Sequence, residues 1–173
     1  MSEVPFPAGI RLERLSKSHP RKAFTCGQDA VDDWLHTRAL QNQDKHLSVT
    51  KVLLDSSRAI AGYYTLATGQ VDFSDLPVAI VKKLPRRQLP VAVLAWLGVS
   101  KARHGSGLGK LLLAQALRDC HDAGRTFAFV AVILDCVDAG AKAFYQRFDF
   151  AELPGHPMRL FLSAAHLDAL MQR

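Results

Sequence analysis

Residues 90–118, PVAVLAWLGVSKARHGSGLGKLLLAQALR, decide the fold of this chain. The run up to Ser100 is continuously apolar and rich in β-branched residues, which predicts a strand buried on both faces. Three glycines follow within residues 105–109, and the apolar spacing after them predicts a helix that ends near Gly124. Because a glycine loop at a helix N-terminus lets bare backbone N–H groups approach an anion closely, we expect this loop to hold a phosphate.

The flanking segments predict a mixed α/β sheet with helices on both faces. Acidic residues near the start of an amphipathic segment indicate a first helix, and two β-rich segments separated by a polar turn follow it. The element order is therefore α-β-β-β-α-β-α-β-α. The segments outside the central stretch are 24–46 (helix), 47–55 and 59–73 (strands), 126–135 (a second strand buried on both faces), 138–150 (helix) and 158–173 (strand, then helix).

The bulk composition is that of a globular protein. With 173 residues, 49% of them hydrophobic, residues 1–173 are expected to form one domain. The net charge of +6 favours an anionic partner such as nucleic acid or a polyphosphate, although an inert basic surface is the alternative.

Cys26, Cys120 and Cys136 lack the spacing of a disulfide framework or a zinc site. The N-terminus lacks a signal-peptide layout and no apolar run reaches about 18 residues, so we expect a cytoplasmic protein with no membrane partner.

Three kinds of phosphate loop can be compared with the glycine stretch. A nucleoside-triphosphate loop is excluded because His104 and Leu111 stand where it needs glycine and a hydroxyl residue. A dinucleotide loop fits poorly, since Lys110 replaces its third glycine and the nearest acidic candidate is Asp135. The pyrophosphate loop of acetyl-CoA-dependent N-acetyltransferases has the pattern Gln/Arg, two residues, Gly, one residue, Gly/Ala. Residues 104–109 match its two small positions with Gly107 and Gly109, but its first position is His104. A tight strand-to-helix turn without a ligand remains the structural alternative.

Taken together, the chain resembles the GNAT superfamily, and more narrowly the GNAT toxins of bacterial toxin–antitoxin pairs. The resemblance runs in order from about Phe24 to about Leu162. The segments that carry it are FTCGQDAVDDWL (24–35), AGYYTLATGQV (61–71), the strand–loop–helix stretch 90–118, DAGAKAFYQRFDF (138–150) and MRLFLS (158–163).

This resemblance implies a GNAT fold, with a mixed, mostly antiparallel sheet whose central parallel strand pair splays to admit acetyl-CoA, and no metal. It implies that Tyr145 protonates the departing CoA thiolate. It also implies that the acceptor is the amine of an aminoacyl-tRNA, that a small DNA-binding antitoxin restrains the enzyme, and that the chain forms a homodimer. The residues assigned by position are Leu97, Gly98 and Val99, whose backbone would pair with pantetheine, and Arg103, His104, Gly105, Ser106, Gly107, Leu108, Gly109 and Lys110, which would line the pyrophosphate.

The reacting chemistry can also be judged without the family. The strand within residues 90–100 contains no Asp, Glu or His that could deprotonate a lysine amine with a pKa near 10.4. An α-amine, with a pKa of about 7.7–8.0, is partly neutral already and suits such a site. Asp135 is a weaker alternative base. Tyr145 could instead be a core residue, because Ala141, Phe144 and Phe148 form an apolar stripe beside it.

The basic residues and two departures from the family pattern concern the acceptor. A track for tRNA phosphates would use Lys82, Lys83, Arg86 and Arg87, together with Arg11, Arg14, Arg21 and Lys22. A solvated loop and arm is the alternative. Trp96 stands where GNAT toxins commonly have arginine, and Val49 gives SVT where SRT is usual, so both positions lose positive charge. Trp96 would offer a stacking surface or fill the core.

Other functions therefore stay open at this point. One is acetylation of a small-molecule amine or of a protein N-terminus, and another is an acyl-CoA-binding sensor without turnover. All of them need the same loop.

Overall fold

The structure, a computed structural model, describes residues 3–173. Within that range the strands follow the order β1-β2-β3-β4-β5-β7-β6 in a seven-stranded mixed sheet. The strands are β1 (Arg11–Arg14), β2 (Val49–Leu54), β3 (Ile60–Asp72), β4 (Gln88–Val99), β5 (Ala131–Asp135), β6 (Ala151–Leu153) and β7 (His156–Ser163). The α-helices are α1 (Asp29–Asp33), α2 (Ala39–Asp44), α3 (Val78–Val81), α4 (Leu108–Gly124), α5 (Ala139–Gln146) and α6 (Ala164–Met171).

The chain divides into two compact units. The first, called the N-terminal unit, comprises residues 3–67 and 94–118. The second, called the C-terminal unit, comprises residues 68–93 and 119–173. The glycine loop before α4 and most of α4 therefore belong to the N-terminal unit, whereas α5 belongs to the C-terminal unit.

In the N-terminal unit, β2 pairs antiparallel with both β1 and β3, and the β2–β3 register shifts between Leu53 and Leu54. The helical segment α1–α2 buries Val31, Leu35 and Ala39 because these apolar residues recur at intervals of four. A π-helical turn, Trp34–Arg38, joins α1 to α2. The buried cluster of this unit consists of Leu15, Phe24, Cys26, Val31, Leu35, Ala39, Val52, Leu54, Ile60 and Tyr63.

In the C-terminal unit, β4 and β5 run parallel. Their register covers Ala92↔Val132 and Val93↔Ile133, although β4 continues to Val99. The hairpin of β6 and β7 adds antiparallel pairing, and β7 pairs with β5. The buried cluster of this unit consists of Val71, Leu76, Leu89, Val91, Ala131, Ile133 and Leu153.

Several elements differ from the sequence-based expectation. The edge strands β1 and β6 and the short helix α3 were not predicted, and the first helix is interrupted by the π-helical turn. The strand expected from residue 126 begins only at Ala131. Its expected first residues lie in the turn after α4, where the N–H groups of Thr126 and Phe127 donate to the carbonyl of Ala123. No helix within residues 3–173 is long and apolar enough to cross a membrane.

Candidate functional site

The glycine loop connects the end of β4 to the start of α4. A 3-10 turn at Lys101–Arg103 leads into it, and Leu108 begins the helix. Gly105 and Gly107 have φ values of +78° and +81°, in the left-handed region. No atom of residues 3–173 lies within 4 Å of the Cβ that either residue would carry, so the backbone conformation, and not crowding, requires glycine there.

The loop presents a run of unused backbone donors. Among residues 3–173, no hydrogen-bond partner is found for the N–H groups of Gly105, Gly107, Leu108, Gly109 and Lys110. The last three belong to the first turn of a 17-residue helix, where the helix dipole adds partial positive charge. Successive free N–H groups at such a terminus form an anion-binding concavity, which fits a pyrophosphate.

Side chains of residues 103, 104 and 106 hold this loop through hydrogen bonds and one ion pair. The imidazole Nε2 of His104 lies 2.8 Å from the carbonyl oxygen of Val99, and the Ser106 hydroxyl donates to the carbonyl of Arg103 at 2.6 Å. The Arg103 guanidinium lies 3.6 Å from an Asp55 carboxylate oxygen. Hydrogen bonds from Ser57, together with Arg103, hold the pKa of Asp55 below its usual range.

The end of β4 is closely packed at Gly98. A Cβ on this residue would lie 2.8 Å from Cγ1 of Val31 and 3.5 Å from both the Cys26 sulfur and the Tyr63 ring. The absence of a side chain thus lets α1 pack on this strand. Leu97 and Val99, on either side, are half-buried.

Trp96 lies two residues before Gly98 and stacks on Trp34, with ring centroids 5.5 Å apart and planes at 17°. The Trp34 indole N–H donates to the Thr65 hydroxyl at 2.9 Å, and Thr65 shares a 2.7 Å hydrogen bond with the buried Thr50. One ring face of Trp96 is therefore used in packing against the core. Val49 is half-buried on β2.

Tyr145 lies on α5, which begins where Asp138 accepts a hydrogen bond from the Ala141 N–H. It is the one buried residue of that helix, 8% exposed, and its ring contacts Phe144 and Phe150 edge-on at 5.2 and 5.8 Å. Its hydroxyl has no hydrogen-bond partner in the described part of the chain. Burial, with a smaller contribution from Cys136, raises the pKa of the phenol, which therefore stays protonated at neutral pH.

Two other sequence-predicted groups can now be placed. Asp135, the alternative base, accepts hydrogen bonds from Arg159 at 2.7 and 3.3 Å, so its carboxylate oxygens are already engaged. The stretch after α3 exposes all of its basic side chains, and within residues 3–173 they form no ion pair with a carboxylate. These side chains are Lys82, Lys83, Arg86 and Arg87, and Arg86 lies over the Phe73 ring at 5.9 Å.

The basic residues of the N-terminal arm form a separate group in the N-terminal unit. Arg14 and Lys22 are exposed, Arg21 is half-buried, and Arg11 lies 3.4 Å from Glu13. Sequence reasoning missed the contact of His104 with Val99 and the pairing of Arg103 with Asp55. A histidine standing where the loop pattern has glutamine or arginine was the available signal for the first of these contacts.

The chain matches known proteins over most of its length. A family model described as the acetyltransferase (GNAT) family matches residues 12–150. A protein named tRNA-acetylating toxin, from Mycobacterium tuberculosis (strain ATCC 25618 / H37Rv), is 32% identical over 158 residues, covering 91% of this chain and 94% of the relative.

Solved structures share the fold. AtaT complexed with acetyl-methionyl-tRNAfMet has a TM-score of 0.86 at 23% identity, covering 94% of this chain and 99% of that one. A mutant AtaT toxin bound to the C-terminus of the antitoxin AtaR and acetyl-CoA has a TM-score of 0.80 at 19% identity, covering 95% and 99%. The expected fold is therefore confirmed, and the chain belongs to the acetyltransferase (GNAT) family.

Proposed function

We propose that this protein transfers the acetyl group of acetyl-CoA to the α-amine of an aminoacyl-tRNA and so acts as a toxin that blocks translation. The observation that carries the proposal is a set of N–H groups without partners within residues 3–173, those of Gly105 and of Gly107 to Lys110 at the start of α4, in a chain of the GNAT family. The acceptor is supported by the relative named tRNA-acetylating toxin and by the structural likeness to AtaT in its acetyl-methionyl-tRNAfMet complex.

Acetyl-CoA would be held by two segments of the N-terminal unit. The backbone of Leu97, Gly98 and Val99 would pair with pantetheine, as the GNAT resemblance implies. The loop from Arg103 to Lys110 would hold the pyrophosphate through its N–H groups. Because Arg103 is paired with Asp55, we assign the main role to the backbone and not to this side chain.

The transfer itself needs a neutral amine and a proton for the leaving sulfur. The amine nitrogen forms a bond to the thioester carbon, the carbon–sulfur bond breaks, and the amine releases a proton to solvent. Tyr145, buried and protonated, would donate its phenolic proton to the departing thiolate and would then regain a proton from solvent, which balances the proton that the amine releases. β4 carries no acidic or histidine side chain and Asp135 is bound by Arg159, so an α-amine that is already partly neutral suits the reaction.

The remaining parts of the proposal concern partners and organisation. Lys82, Lys83, Arg86 and Arg87 are exposed and form no ion pair with a carboxylate of residues 3–173, which suits contact with tRNA phosphates. A small DNA-binding antitoxin would restrain the enzyme, in line with the AtaT–AtaR likeness. We further propose that residues 1–173 act as one catalytic domain, that the chain forms a homodimer, and that it works in the cytoplasm, where charged tRNA is found.

Incubation with labelled acetyl-CoA and a bulk pool of charged tRNA tests this function. Label should enter the tRNA fraction with wild-type protein, and Tyr145→Phe should lower kcat by about a hundredfold or more with the Kd of acetyl-CoA nearly unchanged. Tyr64→Phe is the matched control, because it removes a hydroxyl from a fully buried tyrosine of β3. Full turnover by Tyr145→Phe would disprove the role of this residue.

The same experiment separates the alternatives. If label enters small amines or peptide N-termini but not tRNA, the acceptor is one of these amines and not an aminoacyl-tRNA. Tight binding of acetyl-CoA without transfer to any of these amines would indicate a sensor without catalysis.

A further inference from the structure

His104 is a histidine at the loop position where the N-acetyltransferase pattern has glutamine or arginine. The residue is exposed, yet its Nε2 atom lies 2.8 Å from the carbonyl oxygen of Val99. Because a carbonyl oxygen only accepts, the Nε2 atom must carry the hydrogen of this bond. The side chain therefore turns back toward the end of β4.

This contact holds the loop where other connections are lacking. The 3-10 turn is tied to neighbouring strands and loops, since the N–H groups of Ser100 and Lys101 donate to Ala61 and Thr25. Beyond Arg103, the hydrogen bonds of residues 104–107 remain inside the turn and loop or lead into α4, with the His104–Val99 bond as the exception in the described chain.

We propose that His104 is a positioning residue that joins the two parts of the acetyl-CoA site. One part is the strand end at Val99. The other is the set of N–H groups of Gly105 and of Gly107 to Lys110, called the amide cradle. The inference rests on the proposed function, in which these segments bind pantetheine and pyrophosphate, two parts of one molecule. A bond between the segments fixes their separation before the ligand arrives, so the whole molecule gains more than either part alone. The imidazole itself need not touch acetyl-CoA.

The test compares whole ligand and fragments. Dissociation constants would be measured for acetyl-CoA, for ADP as a pyrophosphate fragment and for acetyl-pantetheine, with wild type, His104→Leu and His104→Gln. We expect His104→Leu to weaken acetyl-CoA by about fivefold to tenfold, the size of one hydrogen bond, and each fragment by less than about twofold. His104→Gln should restore acetyl-CoA binding to within about twofold, because its carboxamide can donate to the same carbonyl.

His156→Leu is the matched control, since His156 is exposed at the start of β7 in the C-terminal unit. It should leave all three dissociation constants unchanged. Long-range ¹H–¹⁵N NMR supplies an independent reading, because the bond requires the neutral ring of His104 to be the Nε2–H tautomer.

Each contrary outcome has a definite meaning. An equal loss of ADP and acetyl-CoA affinity in His104→Leu would show direct contact with the phosphates and overturn the positioning role. A His104→Gln variant as weak as His104→Leu, or an Nδ1–H tautomer, would also overturn it. Wild-type protein that binds no acetyl-CoA would overturn the proposed function, and the inference with it.

Discussion

Replacement of Gly107 by alanine isolates the backbone of the loop. Its φ is +81°, and an added Cβ would meet no atom within 4 Å in the described part of the chain, so the substitution introduces strain without a clash there. The residue is also exposed, and the loop can relax toward an ordinary conformation without disturbing either buried cluster. In the relaxed loop, the N–H groups would no longer keep the arrangement that the left-handed glycine gives them.

The size of the effect follows from the cost of the left-handed conformation. A residue with a Cβ pays roughly 1–2 kcal/mol there, whereas glycine does not. If the free loop relaxes and acetyl-CoA forces it back, this cost is taken from the binding free energy. The Kd of acetyl-CoA should therefore rise by roughly fivefold to thirtyfold.

Gly155→Ala provides a matched control in the turn between β6 and β7. Its φ is +77° and the added Cβ has no atom within 4 Å among the described residues, so the intrinsic cost of the left-handed conformation is the same. Isothermal titration with acetyl-CoA and thermal unfolding would be recorded for both variants. Gly155→Ala should lower Tm by roughly 2–8 °C and leave the Kd unchanged, because that turn lies outside the loop.

The reasoning would be refuted by one clear result. Suppose that Gly107→Ala lowers Tm as Gly155→Ala does but keeps the wild-type Kd. The binding of acetyl-CoA would then not depend on the conformation of the loop. The amide cradle would then not be the pyrophosphate site, and the glycines would serve only the strand-to-helix turn.

Two further predictions concern charge. Hydrogen bonds from Ser57, with Arg103 nearby, lower the folded-state pKa of Asp55. The stabilising effect of the Asp55 carboxylate is therefore complete above the unfolded-state pKa of about 3.9. It is lost as pH falls through the lower folded-state pKa. Asp55→Asn should flatten the fall in unfolding free energy below about pH 4 in urea titrations, and curves parallel to wild type would contradict this. Lys82→Glu with Lys83→Glu should raise the KM for charged tRNA and reduce the salt dependence of log KM by up to about two in slope. The Kd of acetyl-CoA should not change, and an unaltered tRNA KM would remove this stretch from the tRNA track.

The central strand, loop and helix could be predicted because local patterns determine them. A long apolar run, a glycine cluster and a helical period each extend over enough residues to be distinctive, and α4 ends at Gly124 as expected. The strands β1 and β6 have four and three residues, too few to show a period. The start of β5 was misplaced because an apolar run does not show that Phe127, which is 79% exposed, still belongs to the helix-terminating turn.

The candidate site was predictable in its backbone but not in its side-chain pairing. The loop glycines and Tyr145 follow from motif and family pattern. The contacts of Arg103 with Asp55 and of Trp96 with Trp34 join residues far apart in the sequence. No local period encodes such pairs, since they depend on how strands and helices come together. The structure was also needed to show that aromatic rings bury Tyr145 and that its hydroxyl has no partner among the described residues, because periodicity alone offered core packing as the alternative.

The hydrogen bonds of the loop are distributed unevenly between its donors and acceptors. The carbonyl of Val99 accepts from the His104 ring, that of Ser100 from the Arg103 N–H, and that of Arg103 from both groups of Ser106. The N–H groups from Gly107 to Lys110 have no such partners within residues 3–173. An anion at this helix start would therefore meet backbone donors and the positive end of the helix dipole. Because Arg103 is also paired with Asp55, we expect selectivity for a phosphate at this loop to rest on backbone geometry, and we expect the left-handed Gly105 and Gly107 to be the positions most sensitive to substitution.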